Sequence, residues 1–388
     1  MTEGYRKSVL PNGIRILTER MPHVRSVAVG VWVETGSRHE PEARGGVSHL
    51  IEHLVFKGTA TRTAEAIART MDLTDILLHP LFDAEELERE KSVVLQEIRM
   101  VEDTPDDVIH DLFAAQVWGD HPLGRPILGT RDLVTAYPRE AIAAHFGEEY
   151  VPPQIIIAVA GNVTHEQVVD LFGRGFNGFE HGAHPRVAGA PRLAPGVNIV
   201  HKALEQVHLV MGFPGLPHAA PERYAMFLLN DVIGGSMSSR LFQEVRERQG
   251  LVYSIHSGAQ AFADTGIAYV YAATDAQNFS KVLKSILKEL RDLKKTGVTA
   301  EELKRAKDHL KGSLMLSLES TSSRMNRLAK HEMHLGSFLT IDAMLASIDG
   351  VKHEEVQALI TEVIDEDRLA LTTLGPLDRR NLPAELRN

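Results

Sequence analysis

Residues 84–91 read AEELEREK and residues 300–307 read AEELKRAK, the same helix opening placed twice, 216 positions apart. A second pair of anchors, Pro41-Glu42 and Pro221-Glu222, stands 180 positions apart. Recurrence at a long offset marks an internal duplication, and the elements around the anchors recur in order. In the first half, the alternating segments GIRILTE and SVAVGVWVET predict strands joined by a Pro-containing turn. Helices follow at about 45–56 and 61–71, then a long one opened by Asp83, with Glu86 placed to complete a capping box. The half closes on the strand QIIIAVAG and a helix from about Thr164. The Pro/Gly/Ala-rich stretch at 181–196 reads as a linker. The second half repeats the plan. Strands VNIVHKA and QVHLVMGFPG precede helices around 221–234 and 238–249. Strands LVYSIHSGAQ and GIAYVYAAT come next, then a helix to Lys295, a helix capped by Thr299 and Glu302, and the strand DRLALTTLG. The pattern predicts two homologous α+β domains, each with a mainly antiparallel sheet covered by helices. Their bounds are 1–183 and 197–388, with a linker at 184–196.

The two offsets differ by 36, so the first half is shorter than the second between its anchors. The second half places two strands there. The first half passes from TAEAIARTM straight to DLTDILLHP, with none of the Gly, Pro or Asn expected of a helix–helix turn. This abruptness leads to the expectation that a mobile edge hairpin of roughly three dozen residues belongs between Met71 and Asp72. A chain truly lacking it would leave a sheet edge unpaired, and is expected to show weak or no activity of the kind derived below.

Composition narrows the chemistry. There is no cysteine, so disulfides and thiolates are excluded and any metal must be held by His, Asp or Glu. A net charge of -10 and a pI near 6.0 argue against general nucleic-acid binding and favour basic partners or substrates. No stretch approaches the roughly 20 apolar residues of a membrane span. The N-terminal MTEGYRKSVLPNG has no apolar core of a signal peptide, and a cytoplasmic location is expected.

His49-Leu50-Ile51-Glu52-His53 is the feature with the most chemistry. On a helix, residues i and i+4 share a face, so both imidazoles reach one ion. Glu52, beside His53, is placed to take a proton from a water that zinc acidifies. This is the H-x-x-E-H order, the reverse of H-E-x-x-H. Two His and a Glu within five residues can arise by chance among 19 His, so a further ligand matters. The helix opened by Asp83 offers one, because Glu90 and Glu97 lie two turns apart on one stripe with Val94 between them. Glu86, Glu88 and Glu90 read equally well as a solvated acidic face. Glu97, after VVL and before Ile98, is the better case for burial. Under the repeat offsets, His49, Glu52 and His53 fall on Leu229, Val232 and Ile233, and Glu90 and Glu97 on Ala306 and Ser313. One half carries every candidate ligand and the other keeps only the scaffold.

The segments LPNGIRI, GGVSHLIEHLVFKGT, LEREKSVVLQEI and SSRLFQEVRERQGLVYSI together resemble the pitrilysin and mitochondrial processing peptidase family, in its shorter two-domain bacterial branch. The resemblance implies two related α+β domains facing each other across a cavity. It implies zinc held by His49, His53 and Glu97, Glu52 as the catalytic base, and Glu90 as a supporting residue. It further implies that Arg246 holds a substrate carbonyl and that Tyr253 hydrogen-bonds the developing oxyanion, with Gly234-Gly235-Ser236 in a glycine-rich loop. It points to peptide substrates and to a homodimer or a heterodimer with a related subunit. In one respect the chain departs from the family. Only 43 residues separate His53 from Glu97, and the family's G-G-x-x-N-A-x-T region, an edge strand for substrate, is missing. The expected activity is that of a zinc endopeptidase; the alternative is a non-catalytic scaffold or partner subunit.

Overall fold

A computed structural model describes residues 4–69, 72–179, 189–383 and 386. It divides into two compact units that interleave in sequence. Unit 1 comprises Met1–Val101, Arg125–Gly189 and Leu316–Thr340; unit 2 comprises Glu102–Gly124, Ala190–Met315 and Ile341–Asn388. The contiguous division at 183 and 197 therefore misplaces one helical segment in each direction. Part of the expected linker lies outside the described residues.

Unit 1 is built on a sheet of β1 (Tyr5–Val9), β2 (Arg15–Arg20), β4 (Ile155–Gly161) and β3 (Val27–Val33), in that order. β2 and β4 are parallel, and the outer pairs are antiparallel. The run IIIAVAG makes β4 buried along its whole length, as expected of a strand covered on both faces. On one face Ile16, Ile155, Ile157 and Val159 pack with Val168 and Phe172 of α8 (His165–Gly175). That helix is opened by a full capping box between Thr164 and Gln167. On the other face Leu17, Ile156 and Ala158 pack with Leu328 and Ala329 of α12 (Thr321–Leu335). Buried Glu19 on β2 pairs there with Arg324 and Arg327. The remaining helices of the unit are α1 (Val47–Leu54), α2 (Ala64–Arg69), α3 (Leu73–Leu78), α4 (Ala84–Asp103), α6 (Arg131–Ala136) and α7 (Arg139–Glu149). α1, α4, α6 and α7 share an apolar core of Leu50, Ile51, Leu54, Val94, Ile98, Val134 and Ile142, which fixes α1 against α4.

Unit 2 has the strand order β5 (Gly196–His201), β9 (Ala370–Gly375), β6 (Val207–Pro214), β8 (Gly266–Thr274) and β7 (Ser254–Ala261). Its main core lies against α9 (Arg223–Asn230), α10 (Phe279–Thr296), α11 (Ala300–Ser317), α13 (Ile341–Gly350) and α14 (His353–Val363). The opposite face is covered by α5 (Pro105–Trp118), through Ile109, Phe113 and Val117 on Val210, Ala370 and Leu374.

The duplication is visible in the sheets. β2, β4 and β3 repeat as β5, β9 and β6, a parallel pair followed by an antiparallel one. In unit 2 the sheet continues into the hairpin β7–β8, whereas in unit 1 it stops at β3. The hairpin expected between Met71 and Asp72 is therefore not part of this chain. The two residues are consecutive in the 388-residue sequence, and Met71 lies outside the described residues.

Candidate metal centre

The N-cap of α1 is Gly46, whose φ of +89° would strain any other residue, and a Cβ there would meet Leu128 O at 2.6 Å. No side chain of the N-cap itself is available. The Glu40 carboxylate substitutes, accepting the N–H of Gly46 at 2.7 Å and of Ser48 at 2.8 Å. It satisfies orphan donors and places negative charge at the positive end of the helix. The Tyr137 hydroxyl donates to Gly45 O at 2.9 Å and holds the entering chain. Val47, Leu50, Ile51 and Leu54 form the buried face of α1, which turns His49, Glu52 and His53 away from the core.

The two imidazoles stand one turn apart, with ring centroids 4.7 Å from each other. From α4, Glu97 places Oε2 3.5 Å from His49 Nε2 and 3.7 Å from His53 Nε2. These separations are long for hydrogen bonds, and Glu97 Oε2 is buried without a hydrogen-bond partner. Among the described residues these three form the one His/Asp/Glu group whose ligand atoms fit around a metal, all within 4.8 Å of one another. Zinc bound to nitrogen and oxygen at about 2.0–2.2 Å in a tetrahedral shell sets its ligand atoms about 3.4 Å apart. The donor set and its spacing fit that ion, and the unpaired carboxylate oxygen is the group the ion would satisfy.

The supporting residues are also in place. Glu90, 5% exposed, accepts from His53 Nδ1 at 3.0 Å and from Lys57 Nζ at 2.6 Å. Burial alone would push its carboxyl up, but the Lys57 and His53 hydrogen bonds outweigh it and hold the group below its usual range. A charged Glu90 fixes the His53 proton on Nδ1 and leaves Nε2 free to ligate. Burial pushes His49 below its usual value, and His53 adds to this against the opposing carboxylates of Glu97, Glu52 and Glu40. A neutral imidazole is the form that binds a metal. Glu52 is exposed on α1 and, with His49, lines a cavity of about 550 Å³ within unit 1. Tyr150 lines the same cavity, its hydroxyl pushed up by burial and by the charge of Glu52.

Within unit 2, Arg246 lies on a widened helical turn, Phe242–Arg248. Its guanidinium stands 4.6 Å from the Phe242 ring centre and 5.5 Å from that of Tyr253, which is 81% exposed. The structure thus brings Arg246 and Tyr253 against each other. The repeat-related positions Leu229, Val232 and Ala306 are buried apolar residues. Gly234 permits close approach of β7, since a Cβ there would sit 2.6 Å from Ser257 N. Lys57, Glu40 and Tyr137 are the site residues that sequence reasoning did not single out. Lys57 was within reach, one turn beyond His53.

The family model described as "Insulinase (Peptidase family M16)" matches residues 15–74 and 70–131, and that described as "Peptidase M16 inactive domain" matches 137–310. The chain is 38% identical to the uncharacterized zinc protease YmxG of Bacillus subtilis, over 94% of this chain and 97% of that one. It is 37% identical to an uncharacterized zinc protease of Streptomyces coelicolor, over 96% and 90%. A crystal structure titled peptidase M16 inactive domain, from Pseudomonas fluorescens, matches with a TM-score of 0.89 at 19% identity, over 96% of this chain and 98% of that one, a likeness that shows the fold. The insulinase match breaks at 70–74, where the repeat is short, and the two alignments run to 397 and 414 positions against 388 residues here. The relatives carry residues that this chain lacks. The stretch matched as an inactive domain contains none of the three clustered candidate residues.

Proposed function

The chain belongs to peptidase family M16, the insulinase family, and from that premise we propose that it is a zinc-dependent endopeptidase acting on extended peptides or unfolded segments. The observation that carries this reading is the buried, unpartnered Glu97 Oε2 facing the Nε2 atoms of His49 and His53. His49, His53 and Glu97 would hold a zinc ion, which when bound would supply a Lewis acid for the scissile carbonyl and for an attacking water. Glu52, exposed to the cavity, takes the proton of the attacking water and delivers it to the leaving amine. Glu90 keeps the His53 ring oriented. Arg246 holds a substrate carbonyl and the Tyr253 hydroxyl donates to the developing oxyanion. A cytoplasmic location and assembly as a homodimer or heterodimer are part of the same proposal; among the described residues no helix is long and apolar enough to cross a membrane.

One observation favours a second reading, a non-catalytic partner subunit: among the described residues unit 1 lacks the hairpin that unit 2 has. The intact candidate ligand set speaks against it, because a scaffold has no use for a buried unpaired carboxylate oxygen. The test uses metal analysis and a quenched peptide. Wild type should hold one zinc per chain, and His49→Ala or His53→Ala should lose it. Glu52→Gln should keep zinc and fold while losing cleavage. A zinc-loaded wild type that cleaves no unfolded peptide would hand the chain to the second reading.

A further inference from the structure

Tyr150 stands at the C-cap of α7, and its surroundings hold it firmly. Its N–H donates to Phe146 O at 2.9 Å. Its ring stacks on that of Phe146, with centroids 4.4 Å apart and an interplanar angle of 23°. Phe146 in turn meets Phe82 edge to face at 5.2 Å. Both Phe146 and Tyr150 pack on the apolar core shared by α1, α4, α6 and α7. A ring clamped in this way has little rotamer freedom, so its hydroxyl has a defined position.

Tyrosine hydroxyls in such surroundings ordinarily find a partner, and Tyr137, in the same core, gives its own to Gly45 O. Tyr150 differs. Among the described residues its hydroxyl makes no hydrogen bond, and the residue lines the cavity that His49 and Glu52 also line. The Glu52 carboxylate is in the same condition, exposed to that cavity with no hydrogen bond or ion pair among the described residues.

The surrounding charges single out one acceptor. Burial first, and then the charges of Glu52, Glu40 and Glu149 in that order, keep the proton on the Tyr150 phenol. A protonated phenol is a donor. Glu40 is already engaged by the N–H groups of Gly46 and Ser48, and Glu149 accepts from Thr35 Oγ1 at 3.1 Å. Of these carboxylates Glu52 alone has no partner, and it acts on the phenol more strongly than the other two.

We propose that the Tyr150 hydroxyl donates to the Glu52 carboxylate and fixes the orientation in which that group takes a proton from water. Tyr150 is then a positioning residue, which reaches the reacting atoms only through Glu52. An exposed glutamate has several rotamers open to it, and one charge-assisted bond from a clamped ring selects among them. The base on α1 is thereby oriented from a different helix, α7. The effect on turnover rests on the peptidase reading; the hydrogen bond itself does not.

Tyrosine isotopically labelled at Cζ, observed by carbon NMR, reads the bond without any turnover. The chain has seven tyrosines, and Tyr150→Phe identifies the Tyr150 resonance by deleting it. In zinc-free protein that resonance should shift when Glu52→Gln exchanges a charged acceptor for a neutral one, while the others stay in place. Cleavage of a quenched unfolded peptide by zinc-loaded protein reads the consequence. Tyr150→Phe, which keeps the ring and its stacking, should lower kcat about 10–100-fold, the worth of a hydrogen bond to a charged group, with KM and zinc content unchanged. A structural role alone would lower stability or zinc content and would not produce that split. A Tyr150 resonance at the same position in wild type and Glu52→Gln overturns the proposal, and so does an unchanged kcat in Tyr150→Phe. A resonance that shifts in a protein whose zinc-loaded wild type does not cleave leaves the hydrogen bond standing and removes the peptidase reading.

Discussion

Replacing Glu90 by Gln tests whether the residue behind the ligands matters as the geometry says. The carboxylate uses both oxygens, Oε2 on His53 Nδ1 at 3.0 Å and Oε1 on Lys57 Nζ at 2.6 Å. An amide has one oxygen. If it stays on His53, its NH2 confronts the Lys57 ammonium, and Lys57, part-exposed, swings into solvent. His53 then keeps an acceptor, but a neutral one, and charge-assisted bonds are roughly twice as strong as neutral ones. Loss of a partner behind a ligating His typically lowers metal affinity about 10–100-fold. Gln should fall at the lower end, about 10-fold or about 1.4 kcal/mol, and Glu90→Ala, which leaves His53 Nδ1 unpaired, near the upper end. Competition against a chromophoric chelator at pH 7.5 reads both. At saturating zinc, Glu90→Gln should recover turnover to within a few-fold, whereas Glu97→Gln should not. Zinc affinity unchanged within twofold in both Glu90 variants would show that Glu90 does not set the His53 ring, and the argument for the site's built-in orientation would fail.

Tyr253→Phe keeps the ring beside Arg246 and removes only the hydroxyl; it should lower kcat by about 10²–10³ with zinc content unchanged, and Arg246→Ala should mainly raise KM. Unchanged kinetics in both would remove them from the mechanism. Asp75, buried beside the short join, accepts from Thr59, Thr61 and Arg62 and pairs with His79. Burial pushes its carboxyl up, but these hydrogen bonds prevail and hold it at about 2, below its ordinary 3.8. A depressed carboxylate stabilises the fold fully above pH 3.8 and loses that contribution as pH falls toward 2. Asp75→Asn should cost about 2 kcal/mol at pH 7, and urea midpoints of variant and wild type should draw together as pH falls from 3.8 toward about 2. A gap that stays constant with pH would mean that charge on Asp75 is not what holds the 59–63 turn to α3.

The candidate ligands were legible because each helix's share of them is local. Two His on one helical face and two Glu on one stripe follow from helix periodicity alone, and His49, His53 and Glu97 do converge. The charge on Glu90 was half legible, since its run reads as a solvated face, yet Glu88 is solvated and Glu90 is buried. Glu40 escaped because it caps α1 from six residues before Gly46, outside any local capping pattern. The two expected capping boxes fared differently. Thr299 and Glu302 close both bonds, while Asp83 makes its half and Glu86 turns to Arg89 instead. The widened turns at Asp231–Gly235 and Phe242–Arg248 have no sequence signature. The sheet that α5 or α12 would cover was not legible, because that choice is made by distant apolar partners.

The interleaving of the units has a consequence for biosynthesis. The sheet of unit 1 is complete once Gly161 has been made, yet its second cover, α12, ends at Leu335. At about 5–20 residues per second, the ribosome needs roughly 10–35 s to bridge that interval. For that time Leu17, Ile156 and Ala158 have no helix over them, and Glu19 lacks both arginines. The open side of β3 is exposed together with them. The nascent chain therefore displays an apolar face and a sticky strand for far longer than collapse takes, which makes it a natural client for a chaperone waiting at the exit tunnel.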